Sequence, residues 1–238
     1  MKHTWVVVFS LISMVGCDAP GRPPARLPEL NPAAVTDFKK LYASNCEGCH
    51  GRDGKSGPGV EIGDPEYLAI ADDTVIRRVV SNGVPGTPMS AFAQSSGGML
   101  TKAQVDAIVS GIRTEWGKAD ALQGADPPPY SAGAAGDAKR GLDVYAVYCS
   151  SCHGPDGLGG PHGSSIVDGS YLSLVSDQHL RTTVIIGRPE LGAPDWRGNV
   201  PGKVMSNQDV SDVVAWLAEQ RPQYTTELGS NPSKGVTQ

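Results

Sequence analysis

Apolar residues at helical spacing run through this chain in two similar series. Val35, Phe38, Leu41 and Tyr42 share one face of a helix expected over residues 35–45. Shorter helical stretches are expected at 66–70 and 74–81, and Thr101 is placed to cap a further helix with Val105, Ile108, Val109 and Ile112 on its apolar face. The second series retraces the first. Leu142, Val144, Tyr145 and Tyr148 mark a leading helix, and Val210, Val213, Val214 and Leu217, with Trp216 nearby, mark a final one over residues 208–220. The body between also repeats: Asp64-Pro65-Glu66-Tyr67-Leu68 returns as Asp168-Gly169-Ser170-Tyr171-Leu172, and Arg77 as Arg181. The pattern predicts an all-α chain built by duplication, with two tandem domains of a few helices each.

Composition shifts set the boundaries. Residues 117–136 contain Pro127-Pro128-Pro129 and a Ser/Gly/Ala run, a linker with stiff and flexible parts between domains at 34–116 and 137–220. Pro20, Pro23, Pro24, Pro28 and Pro32 make a semi-stiff tether of residues 17–33, able to reach about 40–50 Å if polyproline-like. Residues 221–238 are polar and rich in Gly and Pro, and read as a mobile tail.

The first sixteen residues read as an export signal. Lys2 and His3 form a basic start, and Trp5 to Val15 an apolar run too short to span a bilayer. Met14-Val15-Gly16-Cys17 is similar to a bacterial lipobox, in which cleavage leaves the cysteine first and lipid-modified. Leucine is commoner than Met14 at the first of these positions. The competing reading is an ordinary cleaved signal with Cys17 as a stray thiol. The lipidated form would sit in the bacterial cell envelope, on the periplasmic or outer face, with several acyl chains giving stable anchorage.

Charge excludes one class of partner. The chain carries a formal charge of −5; loss of residues 1–16 removes only Lys2 and takes it to −6. Nothing in that balance argues for nucleic-acid binding. Gly and Pro together number 49 of 238 residues, a loop-rich composition that suits small domains folded around a bulky apolar group.

That group is named by a repeated motif. Cys46-Glu47-Gly48-Cys49-His50 recurs 103 residues later as Cys149-Ser150-Ser151-Cys152-His153. C-x-x-C-H is the attachment signature of a c-type haem: two thiols add to the vinyl groups, and the adjoining histidine reaches the iron. A lone C-x-x-C could be a redox dithiol or half of a zinc site. Two copies, each followed by Gly-x-Asp-Gly at Gly51–Gly54 and Gly154–Gly157, predict two covalent haem c groups with His50 and His153 on the irons. Four of the five cysteines are then used, and Cys17 accounts for the fifth.

Around these motifs the chain resembles the class I cytochrome c family, in a dihaem, lipoprotein-anchored bacterial form. The resemblance implies that the Pro58 carbonyl accepts a hydrogen bond from the His50 ring, with Pro161 as its counterpart for His153. It also implies that Met89, within Asn82-Gly83-Val84-Pro85-Gly86-Thr87-Pro88-Met89-Ser90-Ala91-Phe92, is the sixth ligand of the first iron, with Met99 as a rival that packs instead. In the family the last helix of each domain crosses the first. The second domain departs from the pattern. Setting Gly83 on Gly187 puts Met89 on Ala193 and Phe92 on Trp196, so the loop frame survives without its sulfur. Three readings compete for that iron: Met205 reaches it from a longer loop, His162 or His179 ligates it, or the position is open and Met205 only packs.

A haem with histidine and methionine ligands changes oxidation state with little geometric change and leaves no substrate site. The expected function is therefore electron carriage between a quinol-oxidising complex, or a periplasmic dehydrogenase, and a terminal oxidase, with no small-molecule substrate. The alternatives are a dihaem enzyme, peroxidase-like or oxidising sulfur compounds, that uses an open second haem, and a redox or gas sensor.

Overall fold

A computed structural model describes residues 31–198 and 200–222. The expected signal peptide, Cys17 and all but the end of the tether lie outside the described residues. The chain divides into two units, residues 1–34 and 35–238. Within the first, Pro32–Ala34 forms one 3-10 turn, with the Asn31 side chain accepting from the Ala33 amide at 3.1 Å.

In the second unit the α-helices fall in two successive sets, α1 (Phe38–Asn45), α2 (Glu47–His50), α3 (Pro65–Ile70), α4 (Asp73–Asn82) and α5 (Lys102–Trp116), then α6 (Ala138–Tyr148), α7 (Ser150–His153), α8 (Gly169–Leu174), α9 (Asp177–Ile186) and α10 (Asn207–Glu219), with 3-10 turns at Gln94–Ser96 and Pro189–Leu191. Polar caps fix most of their starts. The Asp37 side chain accepts from the Lys40 amide at 2.9 Å, so α1 begins three residues later than the apolar spacing suggests. Thr101 and Ser206 open α5 and α10 in capping boxes with Gln104 and Asp209.

The first and last helices of each set cross at a point where one partner is glycine. A Cβ on Gly111 of α5 would lie 2.1 Å from the Phe38 ring of α1. In the second set the sizes are exchanged: Gly141 of α6 lies against the Asp212 backbone and the Trp216 Cβ of α10, at 2.1 and 2.8 Å from its would-be Cβ. The repeat thus keeps the close approach while trading which helix supplies the small residue. Tyr42 and Tyr145 sit near these crossings, edge-on to Trp116 at 5.0 Å between ring centroids and tilted over Trp216 at 4.4 Å.

An arginine holds the helix corner in each set. Arg113 donates to the carbonyls of Leu68 and Ala71 and pairs with Asp73. Arg221 does the same for Leu172, Val175 and Asp177. Arg221, assigned by composition to the tail, therefore belongs to the folded second set.

The linker is anchored. Arg181, 3% exposed, donates to the carbonyls of Pro129 and Tyr130 and to the side chains of Ser211 and Asn207. The Tyr130 ring meets Tyr67 of the first set edge-on. Among the described residues two ion pairs join the sets directly: Arg188 with Glu61 at 2.6 Å, and Arg197 with Glu66.

Candidate haem sites

Each C-x-x-C-H segment is one helical turn capped by its own first cysteine. The Cys49 and His50 amides donate to the Cys46 carbonyl at 3.1 and 3.0 Å, and the Cys152 and His153 amides to Cys149 at the same distances. This turn puts the two thiols and the imidazole on one short element. Burial pushes the Cys46 and Cys149 thiols up to about 11, with the neighbouring Cys49 and Cys152 adding to the shift. No disulfide joins the four cysteines of the two motifs, which leaves each pair available for thioether bonds.

The tyrosine of the leading helix ties the motif down. The Tyr42 hydroxyl donates to the Gly51 carbonyl at 2.7 Å, and Tyr145 to Gly154. From the sequence both are helix-face residues, although each stands nine positions before a glycine that follows the motif. Burial raises both phenols.

The carbonyl that orients each histidine is not the expected one. His50 Nδ1 lies 2.8 Å from the Val60 carbonyl, and His153 Nδ1 lies 2.7 Å from that of Ser164. Pro58 and Pro161 are displaced from that role because the following glycines pass against the rings: a Cβ on Gly59 would sit 2.9 Å from His50 Nδ1, and one on Gly163 2.7 Å from His153 Nδ1. The Gly59 amide is itself held by the Cys49 carbonyl at 2.8 Å. The next carbonyl along then meets the ring. The second loop is one residue longer, and the exposed His162 is the extra residue between Pro161 and Gly163.

A carbonyl only accepts, so Nδ1 carries the proton and Nε2 keeps its lone pair. Burial also holds His50 below its ordinary value, partly opposed by the Val60 bond. Imidazoles whose Nδ1 atoms are engaged by a carbonyl, leaving Nε2 for a ligand, fit covalent haem beside the paired cysteines in both sets. The second set also exposes Leu158, Leu174, Leu191 and Val204, apolar surface suited to a porphyrin.

The two loops that follow α4 and α9 share two hydrogen bonds, although only the second folds its span into a 3-10 turn, at Pro189–Leu191. The Val84 amide donates to the Met89 carbonyl at 2.8 Å, and the Arg188 amide to the Ala193 carbonyl at 3.0 Å. Leu100 then donates to the Phe92 carbonyl at 2.8 Å, and Met205 to that of Trp196 at 2.9 Å. Met89 is half-buried on its loop, whereas Met99 is 83% exposed. Met205, 5% exposed, occupies the place of Leu100 in the core just before the helix cap. His179 lies on α9 with its ring edge-on to Tyr171 at 6.3 Å; burial, then the charges of His50 and Arg188, push it down to about 4.

Helical domains with paired thiols and a carbonyl-oriented histidine, occurring twice in tandem, define a dihaem cytochrome c with two covalently bound haem c groups. The chain belongs to the family described as cytochrome C oxidase, cbb3-type, subunit III, whose pattern matches residues 33–110 and again 136–217. It is 28% identical over 171 residues to the cbb3-type cytochrome c oxidase subunit FixP of Azorhizobium caulinodans, covering 68% of this chain and 53% of that protein. It is 23% identical over 193 residues to the cytochrome bc1 complex cytochrome c subunit of Mycobacterium bovis, covering 79% and 64%. The chain thus spans between half and two thirds of the length of these relatives. Among solved structures, the c-type cytochrome KustC0563 shares 32% identity at a TM-score of 0.29, covering 34% of this chain and 99% of that one. A reducing HAO-like protein complex of Kuenenia stuttgartiensis shares 16% identity at a TM-score of 0.42, covering 78% and 96%.

Proposed function

We propose that this protein carries electrons in a respiratory chain, as a lipid-tethered carrier or subunit between a quinol-oxidising complex, or a periplasmic dehydrogenase, and a terminal oxidase. The observation that carries the reading is the bridging of two haem-binding domains, taken as residues 34–116 and 137–220, by Arg188–Glu61 and Arg197–Glu66. Bridged domains keep two redox centres in a set relation and let them act in series. The relatives named as oxidase and bc1 subunits support the respiratory setting.

When bound, each haem supplies a one-electron couple. Cys46 and Cys49 hold the first and Cys149 and Cys152 the second through thioethers, with His50 and His153 as the iron ligands set by Val60 and Ser164. Met89 completes the first site, and its thioether raises the potential by favouring ferrous iron. Lipidated Cys17 would concentrate the protein beside its membrane partners. Among the described residues no helix is long and apolar enough to cross a membrane.

Membranes from a strain lacking this protein provide the test. Quinol-dependent oxygen consumption should fall and return with the full chain, return only weakly with Cys17→Ala, and stay low with Cys49→Ala. Unchanged consumption in the deleted strain would contradict the respiratory role.

A further inference from the structure

We infer that the iron held by His153 has no sixth ligand from the chain and presents an exchangeable site for small uncharged ligands at Ala193. This inference rests on the dihaem reading above. Ala193 holds the same backbone position as Met89, because its carbonyl accepts from Arg188 as the Met89 carbonyl accepts from Val84. The Ala193 amide also donates to the Arg188 carbonyl at 3.0 Å, closing the loop on itself. A methyl group therefore stands where the first domain places a thioether, and a methyl group cannot ligate.

The other candidates in the second domain are committed elsewhere. Met205 is bonded through its amide to Trp196 and fills the core position that Leu100 fills in the first domain, which replaces the expectation that it reaches the iron. His162 is the exposed extra residue of the loop that supplies the Ser164 carbonyl to His153, and so belongs to the histidine side. His179, on α9, packs edge-on against Tyr171 of α8 at 6.3 Å between ring centroids.

The loop is also restrained from re-forming around another donor. Arg188 at its start pairs with Glu61 and Glu190, and Arg197 near its end pairs with Glu66 and Asp195. These pairs choose the ligand class as well. Arg188 and Arg197, which flank the loop, each stand against carboxylates, so neither offers a free charge to an anion. A neutral diatomic ligand that accepts electron density from ferrous iron fits better than azide or cyanide.

The test is carbon monoxide added to the fully reduced, full-length protein, after a pyridine haemochrome assay of haem per chain. Two haems per chain with a carbon monoxide adduct at half of them is the expected result. Ala193→Met should abolish the adduct and double the near-infrared sulfur-to-iron band of the oxidised protein, while Met205→Leu should leave the adduct unchanged. Two haems with no adduct would overturn the inference. Its appearance only in Met205→Leu would then name Met205 as the ligand, and only in His179→Ala, His179. Fewer than two haems per chain would instead overturn the dihaem reading beneath it.

Discussion

Arg188 and Glu61 meet at 2.6 Å, joining the start of the Ala193 loop to the residue that follows the Val60 carbonyl. The oriented histidine of one domain and the altered loop of the other are thus linked through two adjacent residues and one ion pair. Glu61 is 2% exposed, and neither carboxylate oxygen has a well-aligned donor despite the charge contact. Burial without full pairing is costly for a carboxylate.

That cost gives the interface a pH dependence. Burial pushes the Glu61 carboxyl up to about 7, against the pull of Arg188 and with Glu190 and Asp64 adding to the rise. Its folded value is above its unfolded one, so the folded chain binds a proton that the unfolded chain has already released. This contribution is present in full below the ordinary carboxylate range and is lost as pH rises through about 7. Thermal unfolding followed from pH 5 to 8 should show a decline on the order of 2 kcal/mol that Glu61→Gln removes. A decline of equal slope in the variant would assign it to other groups.

The two methionines of the first domain should part in their effects. Met89→Ala is expected to remove the near-infrared sulfur-to-iron band of that haem and to lower its potential, because the thioether favours ferrous iron. Met99→Ala, at a side chain 83% exposed, should change neither. The oxidised absorption spectrum of each variant decides between them.

Helix crossing makes Gly111 sensitive. Alanine there would drive a methyl group into the Phe38 ring, at 2.1 Å before any adjustment. The expected loss is about 1–3 kcal/mol by denaturant titration. Phe38→Leu combined with Gly111→Ala should recover part of it; full additivity would argue against a direct clash.

Two truncations should separate fold from tail. Ending the chain at 222 keeps Arg221 on the carbonyls of Leu172 and Val175 and serves as the reference. Ending it at 220 removes those bonds and should cost about 1–3 kcal/mol, since buried carbonyls lose charged donors.

Much of this architecture was legible in the chain. Helical spacing located the first and last helices of both domains, and two C-x-x-C-H motifs required no tertiary knowledge because their chemistry is local. The carbonyls on His50 and His153 were not legible, since the path of Gly57–Val60 and Gly160–Ser164 decides which carbonyl faces the ring. The lone-pair side of the histidine follows from that path and not from residue type. Glu61 and Arg188 carried no signal either, and Arg181 showed only as the repeat of Arg77, not as the anchor of the linker. Their partners are far away in sequence, and isolated charges have no period. Ala193 was visible as a departure, but only the matched hydrogen bonds of Met89 and Met205 show which position each occupies.

The central claim is that two redox centres work within one chain. It is tested most directly by an anaerobic spectroelectrochemical titration of the purified full-length protein. Two one-electron waves, each with half of the haem absorbance and both fully reversible, are the predicted result. A single wave carrying only half of the absorbance, with the other haem silent to the electrode and to soluble mediators, would contradict it.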